Sequence, residues 1–397
     1  MDLGFSTGEE AFRAEVREWL ATVRAPDPGV VAGDLDAQVA ALREWQAEMA
    51  AAGFVGVHWP SDYGGRGLSW THHFLVQLEL AAARAPEVLN RIGVNLVGPT
   101  LMAHGTDAQK ARWLPPILSA RELWCQLFSE PGAGSDLASL TTRARRAGGG
   151  RGWVVDGQKV WSSYAQYARW GYLLARTDRD APPHRAMTAM VVDMEAPGVE
   201  VRPLVQMTGD AEFNAVFLTD VSVGDDEVIG EPGEGWAVAA TTLTHERGTS
   251  PRQLVVHTML VDELLRRARE AGGVDDAVLR HRLVQAYVEL TIFRLHNYRT
   301  LTDLARSGTP GPAASVVKLF WSEMSQRMHE TALALLGPSV ATEPDPADPE
   351  AARIVRNALY YRAATIFAGT SEIQRNLIGE RTLGLPREPR QPRDPRG

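Results

Sequence analysis

The hydrophobic period of this chain changes twice along its length, and that limits the folds open to it. Phe12, Val16, Trp19 and Leu20 fall on one helical face, as do Leu35, Val39, Leu42, Trp45 and Met49, and later Phe74, Leu75, Leu78 and Ala82. Beyond about residue 122 the spacing becomes that of strands. Trp153–Val155, Val160–Trp161, Tyr172–Ala175, Met187–Val192, Val199–Val201 and Ala215–Leu218 are β-rich runs separated by Gly, Pro and Asp. Helical spacing returns after Gly233. Helices and strands bury apolar residues on different periods, so no single element satisfies both patterns. At 397 residues the chain also exceeds one ordinary core. The expectation is an α+β multidomain protein with an N-terminal α-helical domain (1–122), a middle β-barrel-like domain (123–232) and a C-terminal four-helix-bundle-like domain (233–385). Residues 386–397, rich in Pro and Arg, are expected to be a disordered tail.

Punctuation supports these units. Thr7-x-x-Glu10 and Thr106-x-x-Gln109 read as capping boxes, and Pro26, Pro28, Gly53 and Gly105 read as helix stops. Pro115-Pro116 is expected to interrupt a helix. In the last domain, breaks fall near Gly248–Pro251, Gly272-Gly273 and Gly308–Pro312, and the acidic, proline-rich Pro338–Pro349 reads as a loop. Tyr287, Leu290, Ile292 and Leu295, and then Val316, Leu319, Phe320, Met324 and Met328, are stripes that a bundle core would explain.

Charge and composition narrow the function classes. With 49 acidic against 41 basic residues the net charge is −8, which works against nucleic acid or an anionic membrane as partner. The N-terminus has no basic region followed by an apolar run, and no long apolar stretch occurs, so a cytoplasmic protein is expected. The single cysteine, Cys125, cannot form an intrachain disulfide and reads as core filler. His72 and His73 are adjacent and cannot share a helix face, so no metal site is expected.

Glycines, small hydroxyl residues and carboxylates crowd together between Gln126 and Ala144, QLFSEPGAGSDLASLTTRA. Gly132 and Gly134 allow backbone to approach a ligand, Pro131 fixes a turn angle, and Ser129 and Ser135 supply hydroxyls. The stretch reads either as a ligand loop or as a tight surface turn. Gln158–Tyr164, QKVWSSY, sets an aromatic beside hydroxyls, which suits either a stacking face or a buried structural tryptophan at Trp161.

Four stretches together resemble the acyl-CoA dehydrogenase family over nearly the whole chain. They are FSEPGAGSD (128–136), DGQKVWS (156–162) with LLART (173–177), GEPGEGW (230–236), and IFAGTSEIQRN (366–376) completed by Glu380-Arg381 and Gly384-Leu385-Pro386. The resemblance implies FAD held between the β domain and the C-terminal helices, with a neighbouring subunit closing the site in a homodimer or homotetramer. The implied reaction is α,β-desaturation of an acyl-CoA or acyl-carrier thioester, in which a carboxylate takes the α-proton, the β-hydride passes to flavin N5, and electrons leave to an electron-transfer flavoprotein. Position by position, it places Gln126, Phe128, Ser129, Trp161 and Ser163 against the flavin ring. It puts Thr370 and Glu372 near the FAD pyrophosphate and ribose, and Ser135, Arg247, Ala368 and Gly369 on the substrate side.

Two departures are informative. Many members carry the catalytic glutamate in Tyr-Glu-Gly-Thr, where this chain reads Phe367-Ala368-Gly369-Thr370, and alanine cannot accept a proton. A branch that includes isovaleryl-CoA dehydrogenases uses instead the glutamate of a Glu-Arg pair, which is Glu246-Arg247 here. Glu246 is therefore the expected base, against the alternative of a solvated surface pair. Burial beside an apolar ligand raises a carboxylate's pKa toward a useful range. His245 reads as a structural residue or a partner to that base. The second departure is the absence, over Leu264–Val278, of the Arg-x-x-Phe-Gly-type motif that covers the adenine half of FAD from the adjoining subunit, with Arg266, Arg267 and Arg269 as candidate substitutes. A flavin oxidase or monooxygenase on the same fold, and a non-catalytic subunit of a hetero-oligomer, remain the alternative functions.

Overall fold

The computed structural model describes residues 4–26, 34–245, 250–308, 311, 314–338 and 348–387. Glu246, Arg247, most of the Pro338–Pro349 loop and the end of the expected tail lie outside the described residues. The N-terminal helices are α1 (Thr7–Thr22), α2 (Leu35–Ala51), α3 (Trp70–Ala82), α4 (Gly98–His104) and α5 (Asp107–Leu118), with a π-helical turn, Gly93–Val97, leading into α4. Ser6, one residue before the expected cap, starts α1: its backbone is extended and it exchanges bonds with Glu9, whose carboxylate accepts from Ser6 N at 2.7 Å. Thr106 and Gln109 form the expected capping box of α5. Pro115 and Pro116 do not interrupt that helix. They sit in its last turn, where burial of Trp113, Leu114 and Ile117 holds the backbone helical to Leu118.

The middle of the chain folds into strands β1 (Trp124–Leu127), β2 (Arg143–Arg146), β3 (Trp153–Ser163), β4 (Trp170–Arg176), β5 (Met187–Asp193), β6 (Val199–Leu204), β7 (Phe213–Val223) and β8 (Val228–Ile229). They make an eight-stranded sheet in the order β6-β7-β3-β2-β4-β5-β8, with β1 parallel to β4. Among the described residues no ladder joins β6 to β8, so the sheet stays open where a barrel would close. The runs at 153–155 and 160–161 are parts of one strand, β3, whose register against β7 shifts between Lys159 and Ser162. Strands β1, β2 and β8 are short, and their sequences carry no alternation long enough to read.

The C-terminal helices are α6 (Gly235–His245), α7 (Pro251–Glu270), α8 (Ala277–Ser307), α9 (Ala314–Leu336), α10 (Pro349–Tyr360) and α11 (Ser371–Leu377). Helix α6 does not join the bundle core. Its Val238 and Ala239 belong to the core that Trp45, Trp59 and Trp113 form with Trp124, Trp170 and Tyr172 of the sheet. Gly235 allows this approach, because a Cβ there would lie 2.7 Å from Thr188 N. The bundle has its own core, including Leu260, Leu264, Phe293, Trp321, Met324 and Met328. Tyr287, Ile292 and Leu295, expected in it, are exposed, because α8 is apolar on two faces and turns Leu283, Ala286, Leu290 and Phe293 inward. Cys125 is fully buried, as expected of a core filler. Among the described residues there is no cluster able to hold a metal ion, and no helix is long and apolar enough to cross a membrane.

A polar knot sits inside the bundle. His257 Nε2 lies 2.8 Å from Ser325 Oγ, His329 Nδ1 lies 2.8 Å from Ser325 O, and Tyr361 OH donates to Gln253 Oε1 at 2.9 Å. Burial lowers both histidines, His257 to about 3 and His329 to about 4. A folded-state pKa below the unfolded value near 6.5 means that the unfolded chain takes up the proton first. The stability these neutral rings allow is therefore present above pH 6.5 and falls as pH drops toward about 4. Urea melts at pH 7.5 and pH 5 should show a lower midpoint at the acid value, and His257→Gln should flatten that dependence by up to about 1.4 kcal/mol per pH unit.

Candidate active site

Lys159 has no exposed surface, although it lies in a strand whose inward positions otherwise carry Trp153 and Val155. Its ammonium donates to Glu130 Oε1 (2.9 Å), Phe128 O (3.1 Å) and Leu174 O (2.9 Å), which uses all three of its donors. Glu130, itself buried, accepts from Thr141 N (2.6 Å), Thr141 Oγ1 (2.7 Å) and Thr142 N (2.9 Å). Burial opposes ionisation of Glu130, but the Lys159 charge and the hydrogen bonds from Lys159, Thr142 and Thr141 outweigh it and hold the carboxyl down to about 2. Val160 N donates to Ser129 O at 2.9 Å, one residue along on each segment. The loop is thus fastened to β3 on both sides of its turn.

This latch decides what Trp161 does. Its backbone is left-handed (φ 61°), and the strand's register against β7 shifts beside it. The ring stands out, 61% exposed, with Phe213 edge-on at 6.1 Å. Such backbone costs on the order of 1–3 kcal/mol and persists where surrounding structure imposes it. A buried structural tryptophan is therefore ruled out. Ser163 is half-buried beside it, and the hydroxyl of buried Ser162 has no partner among the described residues. Phe128 is buried, with its ring 5.0 Å from that of Tyr172, while Gln126 and Ser129 are half-buried and Ser135 is exposed. A Cβ on Gly132 or Gly134 would meet open space, so protein packing does not require glycine there.

The other group of expected residues lies across the C-terminal domain. Ala368 and Gly369 are both left-handed (φ 55° and 84°), and Gln374 Nε2 donates to Ala368 O at 3.0 Å, turning that carbonyl into the protein. The Ala368 N–H has no partner among the described residues. Thr370 caps α11 through Ile373 N (3.2 Å). The Glu372 carboxyl is held below its ordinary range by its own backbone amide and by the Thr370 hydroxyl. Thr370, Ser371, Glu372 and Arg375 line one side of a cleft of about 480 Å³, with Gln326 and Arg327 of α9 on the other. Ser371, in the lining of this cleft, and Gln374 on the same helix each have a buried side-chain oxygen without a partner among the described residues.

Comparison with known proteins accounts for this arrangement. The pattern "Acyl-CoA dehydrogenase, N-terminal domain" matches residues 6–121, the middle-domain pattern 125–221 and the C-terminal-domain pattern 233–383. The chain belongs to the acyl-CoA dehydrogenase family. It is 42% identical over 386 residues to acyl-CoA dehydrogenase IpdE1 of Mycobacterium tuberculosis, covering 96% of this chain and 98% of that one. Among solved structures it resembles the Tcur3481-Tcur3483 steroid ACAD (TM-score 0.85, 30% identity, 98% of this chain and 100% of that chain). It also resembles the ChsE4-ChsE5 complex from Mycobacterium tuberculosis (TM-score 0.84, 31% identity, 98% and 100%).

This acyl-CoA dehydrogenase is accordingly a FAD-dependent oxidoreductase, and its residues fit that cofactor. An outward-facing tryptophan offers a stacking surface, and the Ser162, Ser371 and Gln374 atoms without partners among the described residues are hydrogen-bonding capacity open to a ligand. The sequence motifs did not point to the latch. The signal was present, since a lysine at an inward strand position needs a carboxylate, and Glu130 stands in the adjoining loop. Removing one partner strands the other: Lys159→Met should cost about 3–5 kcal/mol in a denaturation melt and release FAD. Lys159→Met combined with Glu130→Gln should cost less than the sum of the two single changes.

Proposed function

We propose that this acyl-CoA dehydrogenase desaturates the α,β bond of a bulky, steroid-derived acyl-CoA, with Glu246 accepting the α-proton. The observation that carries the base assignment is Ala368. The place where many relatives hold a catalytic carboxylate has no proton acceptor here, and its backbone is already turned by the Gln374 bond. That leaves the Glu-Arg pair of the isovaleryl-type branch, Glu246-Arg247. The unpartnered Ala368 amide suits a different task, that of donor to the thioester oxygen as enolate charge builds. Bound FAD supplies the acceptor for the β-hydrogen. Gln126, Phe128, Ser129, Trp161 and Ser163 hold its ring face, Thr370 and Glu372 its polar arm, and Ser135, Arg247 and Gly369 the substrate. The small side chain at 368 leaves room beside the reacting carbons, and the steroid ACAD among the similar structures favours a fused-ring acyl group.

The subunit that completes the FAD site is proposed to be a related but different chain. Of the three candidate substitutes for the missing adenine-covering motif, Arg266 is paired with Glu263 and Glu270 and Arg267 with Glu263 and Asp348, which leaves only Arg269 without an ion pair among the described residues. The ChsE4-ChsE5 complex provides a precedent for such pairing. Electrons are proposed to leave to an electron-transfer flavoprotein.

Glu246→Gln should retain FAD yet slow anaerobic flavin bleaching by acyl-CoA by about 10²–10⁴-fold. Reduction at the normal rate would refute the assignment. A panel of short, branched, long, aromatic and steroid-side-chain acyl-CoAs should give the fastest bleaching with the steroid type, and preference for a short straight chain would refute the substrate class.

A further inference from the structure

Three hydroxyls, one each from the N-terminal, middle and C-terminal parts of the chain, meet out of reach of solvent. Thr242 Oγ1 on α6 lies 2.9 Å from Tyr172 OH on β4 and 2.8 Å from Thr100 Oγ1 on α4, and all three residues are fully buried. Thr100 Oγ1 also lies 2.8 Å from Leu96 O, and Thr242 Oγ1 lies 3.2 Å from Val238 O. A consistent proton order runs Tyr172 to Thr242 to Thr100 to Leu96 O, so every hydroxyl donates. The neighbouring Thr241 makes a second tie to α4, with its Oγ1 2.8 Å from His104 Nε2. Apolar side chains of the same shape would fill this space without directional bonds. Hydroxyls add register, because α6 cannot slide or rotate against α4 and β4 without leaving a buried polar group unpaired.

Two members of this chain of hydroxyls, Tyr172 at one end and Thr242 at its centre, adjoin segments of the proposed active site. The Tyr172 ring packs 5.0 Å from Phe128 of the flavin loop. Thr242 is in the last turn of α6, which ends at His245, and Glu246 follows in sequence. We infer that Thr242, held by Tyr172 and Thr100, is a positioning residue that fixes the end of α6 against the flavin loop and so sets where the proton acceptor is delivered. The inference rests on the assignment of that role to Glu246.

The test uses FAD-loaded protein and a 3-thia acyl-CoA, which can lose an α-proton but cannot pass on hydride, with the long-wavelength charge-transfer band reporting deprotonation. Thr242→Val should keep FAD and bind the analogue within about threefold, yet weaken the band and shift the pH at which it appears. It should also slow bleaching at saturating acyl-CoA by about tenfold or more, since small misplacements of a reacting group are costly. Thr242→Ser should restore all of these, and Tyr172→Phe, which removes only a hydroxyl, should repeat the defect if Thr242→Val folds poorly. An unchanged band and pH midpoint in both Thr242→Val and Tyr172→Phe would overturn the inference, as would a defect that follows FAD loss and is not rescued by serine. Glu246→Gln run alongside separates the two ideas. A full band in that variant refutes the base assignment, whereas no band there together with a normal Thr242→Val refutes only the positioning role.

Discussion

An ammonium and a carboxylate taken out of water together hold the 128–142 loop of the candidate site against β3. The Lys159–Glu130 pair is expensive to bury, and it is tolerated because every donor of the lysine has an acceptor and the glutamate gains further hydrogen bonds from Thr141 and Thr142. An apolar pair of similar volume would pack as well but would leave the loop free to shift along β3. The ion pair fixes Phe128, Ser129 and Glu130 against Val160. The next residue, Trp161, is then left with a strained backbone and an outward ring. The outward Trp161 ring, proposed to face the flavin, is a consequence of that constraint.

In the C-terminal domain, backbone strain and polar atoms without partners among the described residues again coincide with expected site residues. Ala368 and Gly369 hold left-handed backbone, Gln374 draws the Ala368 carbonyl inward, and α11 carries a buried hydroxyl and a buried amide oxygen without partners among the described residues. The arginines of α7 belong to a different class. Arg266 and Arg267 are already committed to carboxylates of their own chain.

Much of this was legible in the sequence, and the exceptions have physical reasons. The three-part architecture follows from the change of period, and the FSEPGAGSD stretch stands out because Gly132 and Gly134 meet no packing demand for glycine. The two readings of Trp161 could not be separated from the sequence, because exposure depends on a local shift of register that has no one-dimensional signature. Lys159 escaped notice because a lone lysine in a strand ordinarily points to solvent, and only its place in the alternation with Trp153 and Val155 shows otherwise. The second apolar face of α8 was misread as core for a related reason: periodicity shows that a stripe exists, not which stripe the protein itself buries. The Tyr172–Thr242–Thr100 contact joins residues far apart in sequence, and no local pattern announces it.

If the latch prebuilds the flavin wall, order in the loop precedes the cofactor. Hydrogen exchange, followed in FAD-stripped and FAD-loaded protein over residues 128–142 and 156–163, measures this directly through the amides of Val160, Thr141 and Thr142. The account predicts slow exchange at these amides in both forms. Fast exchange in the stripped protein that slows only when FAD is added would contradict it, because the cofactor, and not the buried ion pair, would then be what shapes the site.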